Sequence, residues 1–125
     1  MAAVGYPLWL WTDDEDTHTA TITEQGITLT MTATRRTTTF DLGDGTRIHC
    51  GTTTPWTTSV EPGAESPTCG HRYEHPSLPG TYAVTATTVW DITWAALGQT
   101  GTLDFERTGP ALDLPVGELH ALRIG

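Results

Sequence analysis

Hydrophobic and polar residues alternate along two neighbouring segments early in the chain. In residues 17–23 threonine occupies every second position, and in residues 27–34 apolar side chains alternate with threonine. Successive side chains of a β-strand point to opposite faces, so a period of two predicts strands with one apolar and one polar face. Gly26 supplies a turn signal between the two segments. The pattern therefore predicts a β-hairpin over residues 17–34.

A longer alternation occupies residues 81–94, where the even positions from Tyr82 to Trp94 share one face. About thirteen residues at ~3.3 Å each span ~40 Å, which is longer than a typical β-sandwich is tall. Part of this strand is therefore expected to project as a ribbon or to bend at a bulge. After a Gly-containing turn, Leu103 and Phe105 share one face of the returning strand, which predicts a long hairpin over residues 81–107.

The remaining segments predict shorter β-structure. Residues 6–12 are apolar on both faces and predict an N-terminal strand within residues 1–12, with Pro7 near its entrance. The tail, residues 112–124, offers one more strand that is broken by Pro115 and Gly117. No helical pattern is long enough to matter. Residues 1–125 are expected to form a single domain.

Composition favours the same all-β fold. The chain contains 27 threonines, 13 glycines and 8 prolines, and the branched Cβ of threonine favours strands over helix interiors. A chain of this length can bury roughly two-thirds of its unfolded surface, enough for one core without a metal. No apolar run approaches the ~18 residues of a membrane span, so no direct membrane insertion is expected.

Charge argues against several partners. The formal net charge is −9, and four acids stand together at residues 13–16. The only basic pair is Arg35–Arg36 and there is no lysine, whereas phosphate backbones and anionic membranes require clustered cations. A chain without lysine also cannot form the usual P-loop. We therefore expect neither nucleic acid nor nucleotide as a ligand.

The two cysteines indicate the compartment. Cys50 and Cys69 bracket a segment rich in Pro, Gly and Thr, which has little means of ordering itself. A crosslink across such a loop is worth about 3 kcal/mol in the chain-entropy model. We expect a disulfide that closes the loop over residues 46–70 and places the protein outside the cell or at the cell surface. Two free buried thiols are the alternative.

Three short segments together resemble the PKD domain. An aromatic residue followed by D-x-G-D-G stands at residues 40–45, H-x-Y at residues 71–73, and P-G-x-Y-x-V at residues 79–84. The family usually has Trp at the position of Phe40 and Phe at that of Leu42, and its disulfide-region loop is shorter. The matching residues are Phe40, Asp41, Gly43, Asp44, Gly45, His71, Tyr73, Gly80 and Tyr82.

This resemblance implies an Ig-like, PKD-type antiparallel β-sandwich, here with a long projecting hairpin. It also implies a non-catalytic extracellular module that acts as a spacer, as a protein-interaction unit, or beside polysaccharide-degrading domains. Residues 4–11 and 116–119 are similar to flanking elements of secreted or envelope proteins of high-GC Gram-positive bacteria, which the absence of lysine also suits.

The motif residues have expected structural roles. Asp41 and Asp44 would accept hydrogen bonds from turn amides, while Gly43 and Gly45 take backbone angles that other residues resist. Two tyrosines, Tyr73 and Tyr82, would pack on facing strands, with a hydroxyl reaching a backbone carbonyl. We expect His71 to bond to the backbone near the turn.

Metal binding and catalysis have weaker support. Carboxylates that could bind calcium are Asp41, Asp44, Asp13, Asp14 and Asp16, but no EF-hand pattern is present. We expect turn capping and a solvated loop, and no cofactor. None of the three serines stands in G-x-S-x-G, and the cysteines are expected to be oxidised, so no enzyme is predicted.

Five tryptophans supply the binding candidates. Trp56 lies in the disulfide loop, where it either folds back on the protein or stacks on a sugar or a protein partner. Residues of the long hairpin form a second candidate surface if the ribbon exposes them. The candidates are Trp56, Trp90, Ile92, Trp94 and Phe105.

We therefore expect a structural or protein-interaction module that contacts a protein partner or a neighbouring domain of the same assembly. One alternative is a carbohydrate- or cell-wall-binding module that stacks polysaccharide on exposed tryptophans. A second alternative is a calcium-stabilised adhesion domain.

Overall fold

The protein is built from β-strands. The structure is a computed structural model that describes residues 2–12 and 16–118, and within these ranges it contains no helix, hence none that could cross a membrane. This confirms the all-β prediction. The strands are β1 (Ala2–Ala3), β2 (Leu8–Trp9), β3 (Thr17–Glu24), β4 (Ile27–Asp41), β5 (Arg47–Cys50), β6 (Gly70–His71), β7 (Tyr82–Ala96), β8 (Gln99–Thr108), β9 (Leu112–Leu114) and β10 (Val116–Gly117).

The largest sheet is organised around two long antiparallel strands. β4 and β7 pair from Leu29–Ala96 at one end to Asp41–Thr85 at the other. β3 and β8 flank them in the order β3-β4-β7-β8, while β5 pairs with β4 and β9 with β7. Both hairpin turns place two consecutive residues at positive φ, Gln25 with Gly26 and Leu97 with Gly98. Two-residue turns of this kind suit the right-handed twist of paired strands.

A β-bulge divides the sheet into two parts. The register of β4 shifts between Arg35 and Thr37, which leaves Arg36 as the extra residue. Beyond this bulge, β3, β8 and the distal halves of β4 and β7 form a four-stranded ribbon (residues 17–35 and 90–105). The other part, which we call the body, holds the short strands and the core. The long strand β7 thus extends beyond the body as part of the ribbon, and the bulge lies in its partner, β4.

The core lies in the body, on the side of the sheet to which Phe40 of β4 and Val84 of β7 point. Its buried residues come from the C-terminal end of β4, from β5, from β10 and from the loops around the short strands. They are Leu10, Phe40, Leu42, Cys50, Cys69, Tyr73 and Val116. Half-buried Val84 and Ala86 of β7 pack against this cluster. The even-numbered side chains of β7 all point to one side of the sheet. They therefore face the core in the body and form an apolar surface in the ribbon.

The two ends of the chain differ from the single strands expected over residues 1–12 and 112–124. Near the start, β1 pairs in parallel with β10 and β2 pairs antiparallel with β6. Gly5, at φ 74°, and Pro7, two residues later, separate the two strands because neither continues a regular strand. Near the end, Pro115 separates β9 from β10. The rest of the predicted tail strand, residues 119–124, lies outside the described residues.

The predicted disulfide between Cys50 and Cys69 is confirmed. Cys50 ends β5 and Cys69 precedes β6, with their Cα atoms 5.9 Å apart and both side chains buried. The intervening residues 51–68 contain no strand. The crosslink therefore ties an irregular loop to the edge of the core.

We expect the variant Cys50→Ser/Cys69→Ser to lose about 3 kcal/mol of unfolding free energy, since the open loop regains its freedom in the unfolded chain. Urea-unfolding midpoints of the oxidised protein, the reduced protein and the variant measure this loss. Two free thiols in the denatured, unreduced protein, or equal midpoints, would contradict the assignment.

Candidate functional site

The motif residues form a braced turn between β4 and β5. The Asp41 Oδ1 atom accepts a hydrogen bond from the Gly43 amide at 3.1 Å, and Asp44 Oδ1 accepts one from the Thr46 amide at 3.0 Å. Gly43 has φ +78°, and a Cβ there would lie 2.7 Å from the carbonyl oxygen of Ala83. Only glycine fits this position, because it needs both a left-handed backbone and close contact with β7.

His71 bonds to a carboxylate of this turn rather than to the backbone. Its Nε2 lies 2.9 Å from Asp44 Oδ2, and both side chains are largely buried. Partial burial opposes the charged form of Asp44, but the hydrogen bonds from His71 and the Thr46 amide outweigh it and hold the pKa of that carboxyl below its ordinary value. Asp44 Oδ1 thus caps the turn while Oδ2 connects the turn to β6, which suits a structural role.

Tyr73 and Tyr82 stack in the middle of this network. Their rings are parallel with centroids 4.8 Å apart. The Tyr73 hydroxyl donates to the Leu42 carbonyl at 2.9 Å, and the Tyr82 hydroxyl donates to the His75 carbonyl at 2.9 Å. Burial, followed by the charge of Asp44, raises the pKa of Tyr73 to about 12. Gly45 (φ 91°) completes the turn, and Gly80 lies in the turn before β7.

The proposed calcium ligands are engaged with other groups or undescribed. Asp41 lies 3.4 Å from the Arg47 guanidinium, and Asp16 pairs with Arg35. Asp13 and Asp14 lie outside the described residues. Among residues 2–12 and 16–118, no three His, Cys, Asp or Glu side chains are grouped as a metal site would need.

One face of the ribbon is apolar over all four strands. Cross-strand pairs place Trp90 opposite Phe105, Ile92 opposite Leu103 and Trp94 opposite Gly101, and the same register continues through β4 to β3. We call this surface the apolar face. Its apolar side chains are Ala20, Ile22, Ile27, Leu29, Met31, Ala33, Trp90, Ile92, Trp94, Leu103 and Phe105.

Much of the apolar face is open to solvent. Ile22 and Phe105 are each 52% exposed, Leu103 is 48% exposed and Ile27 is 45% exposed. Ile22, Ile27 and Leu103 were not among the sequence candidates. The alternation in residues 17–34 already indicated their direction, but only the register of the two hairpins shows that they share a surface with Phe105.

The two ribbon tryptophans contribute little exposed surface. Trp90 is only 8% exposed, because the His18 ring packs edge-on to it with centroids 5.3 Å apart and it lies at the base of the ribbon. Trp94 is half-buried, since its indole lies over Gly101, where a Cβ would come within 2.5 Å of the ring. Ile92, between them, is also half-buried.

The opposite face of the ribbon is polar. Arg36, the extra residue of the bulge, donates to Asp91 and, at 2.9 Å, to Asp104. The hydrogen bond from Arg36 lowers the pKa of Asp91. Along the rest of this face threonines predominate: Thr17, Thr19, Thr21, Thr23, Thr28, Thr30, Thr32, Thr34, Thr93, Thr100 and Thr102. The ribbon therefore has one wet face and one apolar face.

Trp56 belongs to a second surface, an aromatic cleft on the body. The cleft has a volume of ≈ 840 Å³ and is lined by Tyr6, Trp9, Trp11 and Trp56, among others. Trp9 Nε1 donates to the Ala64 carbonyl at 2.9 Å, and the Tyr6 hydroxyl accepts from the Gly63 amide at 2.7 Å. These bonds join the disulfide loop to the N-terminal segment, and Trp56 remains 46% exposed at the cleft.

Comparison of the chain with protein-family models, with curated proteins and with solved structures found no match.

The raised pKa of Tyr73 predicts a specific alkaline instability. The folded state holds the phenol proton up to about pH 12, whereas the ordinary value is 10.0. The protonated Tyr73 phenol therefore contributes its full stabilisation of the fold below pH 10, and this stabilisation is lost as the pH rises towards 12. Between pH 8 and pH 11 we expect the wild type to lose about 1 kcal/mol more than Tyr73→Phe.

Urea-unfolding free energies of both proteins at the two pH values measure this difference. Tyr6→Phe, which removes an exposed hydroxyl, is the control. Equal losses in wild type and Tyr73→Phe would contradict the buried, hydrogen-bonded phenol.

Proposed function

We propose that the chain is a non-catalytic protein-interaction module of a larger extracellular or cell-surface protein or assembly, of the Ig-like, PKD type. The observation that carries the proposal is the exposed apolar face of the ribbon. Its four half-exposed side chains, Ile22, Ile27, Leu103 and Phe105, come from all three of the strands β3, β4 and β8. Soluble monomers rarely leave such contiguous apolar surface uncovered, and its presence favours a partner.

The chemistry of the apolar face favours protein as that partner. Residues 17–34 and 92–103 contain one carboxylate, Glu24, and no arginine or lysine, so they offer no cations for a phosphate backbone. Three of the four half-exposed side chains are aliphatic, whereas sugars stack on open aromatic rings. Flat apolar sheet faces pack well against another sheet, with side chains interdigitating over ≈ 10 Å. The partner we propose presents such a sheet face.

Two further observations support the non-catalytic and extracellular parts of the proposal. The Asp44–His71 pair and the Tyr73 hydroxyl are occupied in bracing the turn. The Cys50–Cys69 disulfide is compatible with an oxidising compartment.

We expect a photo-crosslinking residue in place of Leu103 to form a covalent adduct with a protein in cells that produce the full-length parent. The same residue in place of Thr102 points to the polar face of the same strand and should give no adduct. Gel shift and mass spectrometry of the adduct measure the outcome. Equal yields from the two positions, or adducts from Thr102 alone, would contradict the proposal.

The aromatic cleft supports a second candidate function, carbohydrate binding. Four aromatic side chains line one cleft, and the disulfide loop holds Trp56 at its edge with 46% of its surface exposed. Aromatic rings beside backbone donors and acceptors are the usual means of holding a sugar ring against protein. This candidate uses a surface separate from the ribbon.

If the cleft binds polysaccharide, the purified protein should be depleted from solution by insoluble polysaccharides or cell walls, and Trp56→Ala should abolish the depletion. Phe105→Ala, which removes a similarly exposed aromatic ring from the ribbon, is the matched control and should bind as wild type. No depletion by any member of the panel, or equal loss in both variants, would count against carbohydrate binding at the cleft.

A further inference from the structure

We infer that the apolar face is covered by a second copy of this chain, packed face to face with the two ribbons antiparallel. This inference rests on the proposed function and names the partner. It follows from three features of the ribbon: where the charge of the chain lies, how the few charges on the apolar face are ordered, and how much surface the face provides.

The charge of the chain is concentrated away from the distal part of the ribbon, residues 17–34 and 92–103. Of the fifteen acids and six arginines, residues 17–34 and 92–103 contain only Glu24, which leaves −8 of the formal −9 on the rest of the chain. A parallel pair of ribbons would bring two acidic bodies together. An antiparallel pair places the bodies at opposite ends of a ribbon of about seven residue levels, or ~24 Å. That distance exceeds the ~8 Å Debye length at physiological ionic strength, so the bodies do not repel strongly.

The charges on the apolar face itself are ordered along the ribbon. Glu24 lies at the tip, opposite Ile27, while His18 lies near the base of the same strand. Arg107 shares this face at the base, in register with Thr88, whereas the Arg35 guanidinium there is buried and already paired with Asp16. When the ribbons are antiparallel, the acidic tip of each copy lies over the end of the other that carries His18.

A twofold axis that lies in the interface and runs perpendicular to the strands specifies the pairing further. It places β3 of one copy over β3 of the second copy, so that Glu24 of each lies against His18 of the other. The contact then occurs twice, as an isologous interface requires. A carboxylate placed to accept a hydrogen bond from an imidazole N–H sets orientation and register more than it adds affinity.

The size of the apolar face suits a modest, reversible dimer. Four strands ~4.8 Å apart and about seven residues long cover on the order of 450 Å² in projection per copy. The corrugated accessible surface is larger, so the pair reaches the lower end of specific interfaces at ~1,200 Å² in total. Interfaces of that size and without deep anchors associate in the micromolar range. The polar threonine face stays outside, so the assembly closes as a dimer.

The test is sedimentation velocity of the purified full chain from about 1 µM to about 500 µM. We expect a concentration-dependent shift from monomer to dimer. Leu103→Asp, which buries one carboxylate per copy, should raise the dissociation constant at least tenfold. Thr102→Asp puts the same charge on the polar face of the same strand and should leave the dissociation constant within about threefold of wild type. A wild type that stays monomeric throughout would overturn the inference, as would equal effects of the two variants.

Charge exchange tests the antiparallel register without placing a charge in the middle of the sheet. Glu24→Arg and His18→Glu should each weaken the dimer, and the double variant should recover at least half of the lost affinity on a logarithmic scale. Simple additivity would overturn the register.

The failure of this inference differs from that of the proposed function. A monomeric wild type whose Leu103 position crosslinks to a different protein excludes the second copy and retains the interaction module. A monomeric wild type without crosslinks from Leu103 excludes both.

Discussion

The antiparallel pairing of β4 with β7 is the interaction on which the rest of the structure depends. At one end these strands carry Phe40 and Val84, which close the core. At the other end they carry Met31 opposite Trp94, which lie on the apolar face. Because one continuous pair of strands serves both ends, the body fixes the position of the ribbon. The braced turn after β4 and the disulfide at the end of β5 hold the body end of this pair in place.

The bulge at Arg35–Thr37 lets β4 present apolar side chains to the same side of the sheet in the body and in the ribbon. Without the extra residue, the alternation of β4 would turn threonines towards the side on which Trp90 and Ile92 lie, since a one-residue shift reverses every side chain. Arg36, the inserted residue, pairs with Asp91 on the polar face, and Arg35 bonds to Thr12 at 2.9 Å and to Asp16. The bulge is thus tied to both faces of the sheet, which explains how the ribbon keeps its apolar residues on one side.

Local patterning was sufficient to predict the long strands, the two hairpins and the disulfide. Alternation over residues 17–34 and 81–107 depends only on the strand period, and the loop between Cys50 and Cys69 has too little apolar content to order itself. Sequence did not predict a bulge in β4, the edge-on packing of His18 against Trp90 or the pairing of β1 with β10, because these depend on contacts between distant segments. The aromatic cleft was missed for the same reason: Trp56 meets Trp9 and Trp11 only after the chain has folded.

The central claim, that the apolar face is covered by association, is tested most directly by the solvent accessibility of its methyl groups. Enhancement of methyl relaxation by a soluble gadolinium chelate reports this accessibility in ¹³C-methyl-labelled protein. With rising protein concentration, the enhancement should fall at Ile22 and Leu103 and stay constant at Leu112, an exposed residue of the body. Enhancements that are unchanged with concentration at all three residues would contradict the account.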